Sequence, residues 1–326
     1  MVMKSPTIKD VAKRSGVGIG TVSRVLNGNP QISDKTKQKV LKAIEELHYV
    51  PNVIGKKFSQ NKTYVIAVVV PVINHPFFAS LVSAIELEAD KRHYSLLLAT
   101  SQHRIEKEKE ILGRIAQNEA DGAIFVTHYK HDEKEFDNLA LVSIDRHLAP
   151  GIPIVTSNNY AATRQGVEYL LNHGGKHVAF LGSKSTLESE VSLREKAYLD
   201  IMLEKGLEPL VVNEEIKHGE EMVLINELLT KYPRFDSVFV SNCILAQMLL
   251  DKLKEKNIRV PEDVQVLSYD GDFNDVSLSK ITTMEQPIAE MAKKCVEILM
   301  DLIDKKNDIE KINVFDCQFV KGSTTY

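Results

Sequence analysis

Near the start of the chain, Gly18-Ile19-Gly20-Thr21-Val22-Ser23-Arg24 has the residue types and spacing to read a DNA duplex. A guanidinium can make a bidentate contact to guanine, an apolar side chain can touch a thymine methyl, and hydroxyls can bond phosphate oxygens. On one helix these roles fall to Arg24, to Ile19, and to Thr21 with Ser23. A protein-docking helical module with a solvated basic face is the plainer alternative. Charge alone does not separate the two, but the cap and turn spacing around the heptapeptide favours DNA.

No other group of residues forms a catalytic constellation. Ser277-Leu278-Ser279-Lys280 fits SxxK formally, without its partner motifs, and is read as chance. His128 and His131 lack partners at metal-ligand spacing and are expected in a surface loop. Walker and Gly-rich phosphate motifs are absent, and Asn61-Lys62-Thr63 is a sequon without consequence in a cytoplasm. Cys243, Cys295 and Cys317 form no CxxC pair, so neither a disulfide framework nor a metal centre is expected, and a reducing compartment is the simpler setting. No catalytic residue, cofactor or metal is assigned. The first ten residues carry no secretory signal, and the longest apolar run, Val65 to Ile73, is too short to span a bilayer.

The elements that must position these residues fall into two regions. The 326 residues are 43% hydrophobic and 26% charged, a globular composition that excludes a disordered or fibrous chain. The net charge of −4 hides an asymmetry. Residues 1–60 hold 11 lysines and arginines against four carboxylates, +7, which leaves −11 for the remainder. Within that basic stretch Thr7 caps a helix ended by Gly16, a second helix runs from about Ile19 to Leu26, and Ser33 caps a third from Asp34 to about Leu47. Val40, Leu41, Ile44 and Leu47 form its inner face, closed by Val11, Ala12, Val17, Val22 and Val25: a helix-turn-helix unit. From Thr63 about nine strand-like runs alternate with amphipathic helices. This predicts an α/β core with parallel sheets, two rather than one, and a ligand outside the carboxyl ends of the strands.

Thr7-Ile8-Lys9-Asp10-Val11-Ala12, Gly16-Val17, Thr21-Val22-Ser23-Arg24-Val25-Leu26-Asn27 and Tyr49-Val50-Pro51-Asn52 together closely resemble the headpiece of the lactose-repressor (LacI/GalR) family of transcriptional regulators. The likeness continues to Val320-Lys321-Gly322-Ser323-Thr324. It implies an all-α helix-turn-helix head over residues 1–60, including a hinge at about 51–60. The effector-binding and dimerisation core, 61–326, would be periplasmic-binding-protein-like, with two subdomains crossing near 158–160 and 284–288. By position Ile19, Gly20 and Arg24 match the family's base readers. Thr7, Thr21, Ser23, Asn27, Ser33, Thr36, Tyr49 and Asn52 match phosphate contacts, and Gly55 and Phe58 match hinge and minor-groove positions. Gly20 offers no side chain to a base. Phe58 stands at the usual leucine lever and Gly55 at a common alanine, which raises the cost of hinge folding by up to about 1 kcal/mol.

In the core the same resemblance assigns the effector to Phe77, Phe78, Asp145, Arg146, Asn159, Arg194, Asn242, Asp270 and Gln286. Aromatic faces suit sugar C–H surfaces and planar polar groups suit paired hydroxyls. One departure stands out: Asn242 is usually followed by Asp, and here by Cys243. The expectation is a cytoplasmic, non-enzymatic repressor of carbohydrate-utilisation genes. It would bind a pseudo-palindromic double-stranded operator as a homodimer, without membrane association, and answer to a small sugar or sugar phosphate. General likeness suggests sucrose or ribose. The chain after Asp304 has no leucine heptads, so a dimer and not a coiled-coil tetramer is expected. The nearest alternative is a catabolite-control regulator of the same family with a phosphorylated carrier protein as corepressor. A sugar-transport binding protein and a sugar-acting enzyme are the others.

Overall fold

Alternating hydrophobic patterns build two compact units, Met1–Thr63 and Tyr64–Tyr326, in the computed structural model. It describes residues 6–26, 29–49, 62–127, 129–184, 189–217, 219–271, 280–306 and 308–326. Asn27, the 51–60 hinge with Asn52, Gly55 and Phe58, His128 and Ser277–Ser279 lie outside the described residues.

The first unit holds α1 (Ile8–Ser15), α2 (Ile19–Leu26) and α3 (Asp34–Glu46). The Asp10 carboxylate accepts hydrogen bonds from the Thr7 N–H at 2.8 Å and the Thr7 hydroxyl at 2.7 Å, fixing the start of α1. Gly16, at φ 68°, ends it in the left-handed region that glycine adopts without strain. Val11, Ala12, Val22, Val25, Val40, Ala43 and Tyr49 form the small core. Leu41, expected inside, is 48% exposed. The helical period turns it away from the seam that Val40 and Ala43 close.

In the second unit the run Val65–Val70 becomes β1, almost wholly buried between helices, as parallel strands require. It pairs in parallel with β2 (Ser95–Thr100) and β3 (Gly122–Phe125), extended by β4 (Leu141–Ile144), β5 (Ile154–Ser157) and, from the far end of the chain, β11 (Ile312–Phe315). The second sheet holds β6 (Val178–Ser183), β7 (Leu210–Glu214), β8 (Ser237–Val240), β9 (Gln265–Asp270), β10 (Thr282–Glu285) and an antiparallel β12 (Gln318–Val320). The orders, β2-β1-β3-β4-β5-β11 and β7-β6-β8-β9-β10-β12, repeat one winding, so each sheet has its own switch point.

Helices cover both faces of each sheet. On the first lie α4 (Pro76–Asp90) and α5 (Ile105–Ala116). On the second lie α6 (Asn159–Asn172), α7 (Leu193–Glu204), α8 (Glu221–Lys231) and α9 (Cys243–Glu255). The last helix, α10 (Ile288–Ile303), follows a strand of the second sheet yet packs beside α4 on the first. It approaches β3 closely at Gly122, where a Cβ would stand 2.8 Å from Leu299 Cδ1.

Twelve strands therefore form among the described residues where about nine were expected, and the chain passes between the halves a third time, at Asp316–Cys317. Neither glycine nor proline marks that passage, so β11 and β12 read in sequence as one stretch. No helix among the described residues is long and apolar enough to cross a membrane.

Candidate functional site

In the head, Ile19 and Gly20 occupy the first turn of α2, both exposed, and Ile19 keeps 46% of its surface in solvent. Arg24, also exposed, makes no ion pair among the described residues. Thr7 and Ser33 are exposed, whereas Thr21, Ser23 and Thr36 are half-buried. Tyr49 lies apart from these: its ring belongs to the core of the head, 7% exposed. A Cβ added at Gly20 meets nothing within 4 Å, so the missing side chain leaves open space on the reading helix.

In the core, a cavity of about 160 Å³ lies between the halves at the carboxyl ends of both sheets. His75, Phe77, Phe78, Val126, Asp145 and Arg146 line it from the first half. Ser183, Lys184, Val191, Arg194, Ser241, Asn242, Asp270 and Gln286 line it from the second. Eight of the nine residues assigned from sequence meet there. The ninth, Asn159, stands behind them: 1% exposed, it accepts a hydrogen bond from Arg194 Nε at 2.6 Å and donates to Ser157 O at 2.9 Å. An adjoining outer cavity of about 660 Å³ shares His75, Phe78, Ser183, Lys184 and Asn242. Of the two aromatics, Phe77 is 5% exposed and belongs mainly to the core of the first half, while Phe78 is half-buried.

Arg194 is held before any ligand arrives. Besides Asn159 it donates from Nη1 to the Ser241 carbonyl at 2.5 Å, its guanidinium carbon sits 3.6 Å from the centre of the Tyr269 ring, and Nη1 lies 3.5 Å from Asp270 Oδ1. Asp270, at φ 85°, also accepts from Gln286 Nε2 at 2.8 Å. Its counterpart Asp145, at φ 59° just past β4, accepts from Thr156 Oγ1 at 2.7 Å. Two carboxylates held in the left-handed region, one per half, mark strain placed at the cavity. Burial raises the Asp145 carboxyl above its ordinary value despite the attraction of Arg194 and Arg146. Burial also pushes the Arg146 guanidinium down to about 10, which leaves it charged at neutral pH.

The halves touch beside the cavity. Arg146 Nη1 donates to the Ser189 hydroxyl, the Glu190 N–H donates to Asp145 O at 3.0 Å, and His147 Nε2 lies 2.7 Å from Glu190 Oε1. Sequence reasoning missed His75, Val126, Ser183, Lys184, Val191 and Ser241. Ser183 and Ser241 end or follow strands and could have been found by the strand-end rule.

Two clusters depart from expectation. His131, expected in a surface loop, is buried: Nε2 is 2.7 Å from Glu108 Oε2 and Nδ1 is 2.9 Å from Glu135 Oε2. Burial opposes its charge, but the two carboxylates outweigh it and raise its pKa above 6.5. Their spacings of 23 and 4 residues carry no metal motif, and the pairing follows from packing against Phe125 and Phe136. Where no metal ligands were expected, His75, Cys243 and Asp270 bring ligand atoms within 4.8 Å of one another.

Comparison with known proteins accords with both units. Residues 7–52 match the family described as bacterial regulatory proteins, lacI family, and residues 167–325 match a periplasmic binding protein-like domain. The chain is 32% identical over 328 residues to the sucrose operon repressor of Pediococcus pentosaceus, covering 98% of this chain and 99% of that one. It is 31% identical over 303 residues to the ribose operon repressor of Halalkalibacterium halodurans, covering 92% and 91%. The lac repressor dimer bound to operator and the anti-inducer ONPF shares the fold, with a TM-score of 0.85 at 23% identity over 99% of each chain. The chain thus belongs to the lacI family of bacterial regulatory proteins and is a DNA-binding transcriptional repressor, not an enzyme.

Proposed function

We propose that this repressor acts in the cytoplasm as a homodimer, its paired heads holding a pseudo-palindromic operator that controls genes of sugar uptake or breakdown. A small sugar entering the core cavity releases the DNA. The paired charges in the lining carry the reading: Asp145 with Arg146, and Asp270 with Arg194, offer planar polar groups from both halves beside the face of Phe78. Two carboxylates against two guanidiniums suit a neutral polyol better than a phosphate ester, and among the described residues Lys184 adds one further cation to the lining. The outer cavity leaves room for a second sugar unit. The relatives named as sucrose and ribose operon repressors support a sugar of one or two rings.

Ligand contacts from both halves set the angle between them, and the segment 51–60 passes the change to the head. A coupling of about 1–3 kcal/mol corresponds to a 5–150-fold change in operator affinity. The test begins with an inverted-repeat DNA selected from a randomised pool, and with a thermal-shift panel of sugars and sugar phosphates. A sugar that stabilises the wild type should weaken operator binding. The Asp145→Asn variant should bind the same DNA equally well and ignore that sugar. Tight capture of a phosphorylated carrier protein, with no response to any sugar, would overturn the reading.

A further inference from the structure

His75 is the N-cap of α4, Cys243 is the first residue of α9, and Asp270 closes β9. One belongs to the first half of the core and two to the second, yet their ligand atoms converge within 4.8 Å. The Cys243 thiol is buried, in no disulfide, and sits at the start of α9, where the Cys243 and Ile244 N–H groups point at its sulfur and favour the thiolate. Asp270 engages Gln286 and Arg194 through Oδ1, so Oδ2 stays without a hydrogen bond among the described residues. We propose that His75, Cys243 and Asp270 form a three-ligand site for a thiophilic divalent cation of the zinc(II) class, bridging the two halves of the core.

The donor set selects the metal. One imidazole, one thiolate and one carboxylate suit zinc(II) or cobalt(II), whereas magnesium and calcium take oxygen ligands. With bonds of roughly 2.0–2.3 Å, ligands arranged tetrahedrally about one ion stand roughly 3.3–3.8 Å apart. Starting from at most 4.8 Å, the three atoms need to approach by no more than about 1.5 Å. Because His75 sits across the cleft from the other two, that approach draws the halves together. Gln286 Nε2, 2.8 Å from Asp270 Oδ1, holds the carboxylate in orientation. Asn242 Oδ1 accepts from the Leu245 N–H at 2.9 Å and so fixes the turn that presents Cys243. Binding replaces the thiol proton, which passes to solvent, and leaves the fourth position of the ion open towards the cavity.

This assignment does not depend on which sugar binds, and its test uses neither sugar nor DNA. The full-length protein is titrated with cobalt(II) while the near-ultraviolet charge-transfer absorption of a cobalt–thiolate bond is followed, and zinc(II) affinity is then measured by displacement. One equivalent of cobalt(II) should give the band. The Cys243→Ser variant should lose it, and Cys317→Ser should keep it. His75→Ala should weaken zinc(II) by more than the roughly 10–100-fold that loss of an outer hydrogen-bond partner costs. No thiolate band in the wild type, a band that survives Cys243→Ser, or zinc(II) affinity unchanged in His75→Ala would each overturn the proposal.

Discussion

Arg24 in the head and Arg194 in the core use one side chain in opposite ways. Arg24 is exposed and bound to nothing among the described residues, so it can seek a base edge whose position the protein does not control. Arg194 is 3% exposed and fixed by Asn159, the Ser241 carbonyl and the Tyr269 ring, so its position is set before a ligand enters. Reading DNA tolerates a mobile group, because the duplex supplies the order. Gripping a small ligand does not, because each immobilised side chain adds an entropic cost to binding.

The contrast is sharpest if each arginine is removed. Arg194→Ala leaves Asp270 and Asn159 buried without their partner and should lower the stability of the core by roughly 3–5 kcal/mol. Chemical denaturation followed on core and head signals separately measures this, and an unchanged core would show that Arg194 is not preorganised. Arg24→Ala should leave stability within about 0.5 kcal/mol of wild type. It should weaken operator binding by about 1–3 kcal/mol, chiefly at one base pair. An equal loss on all sequences, seen by competition binding, would reduce Arg24 to a phosphate contact. Gly20→Ala should stabilise the head by about 0.8–1 kcal/mol, since the added Cβ meets open space on an exposed helix.

The smallest effect expected is read as a slope. The pKa of His131 is raised above its unfolded value of 6.5, so the stability it contributes is full below that pH and is lost as pH rises through the raised value. Thermal unfolding of wild type and His131→Asn should therefore differ most near pH 6 and converge as the pH becomes alkaline. A difference that widened with pH would mean that the Glu108–His131–Glu135 cluster holds a neutral imidazole.

How much of this was legible in the sequence differs between the regions, for a physical reason. The head is fixed by short-range rules: the Thr7–Asp10 box, Gly16 and the seam of valines all act within a few turns, and local spacing records them. Leu41 shows the limit, since a face four residues wide in sequence is narrower in the packed unit. In the core, eight of the nine positions expected from resemblance and strand ends line one cavity, and the ninth, Asn159, stands behind Arg194. The His75–Cys243–Asp270 group was invisible because the ends of three elements, 27 to 195 residues apart, assemble it, and no spacing encodes that meeting.

The third passage between the halves has a mechanical consequence. Asn158 Nδ2 donates to Asp316 Oδ1 at 2.8 Å, and the Cys317 N–H donates to Asn158 Oδ1 at 2.9 Å, so the first and third passages are laced together. The second is joined to them through β10 and β12, where Glu285 faces Gln318. Hydrogen bonds between the three crossing segments resist their sliding past one another. Rotation of one half against the other about these laced crossings breaks none of those bonds, whereas sliding would. Work done by a ligand anywhere in the cleft is channelled into that rotation rather than scattered among many small distortions.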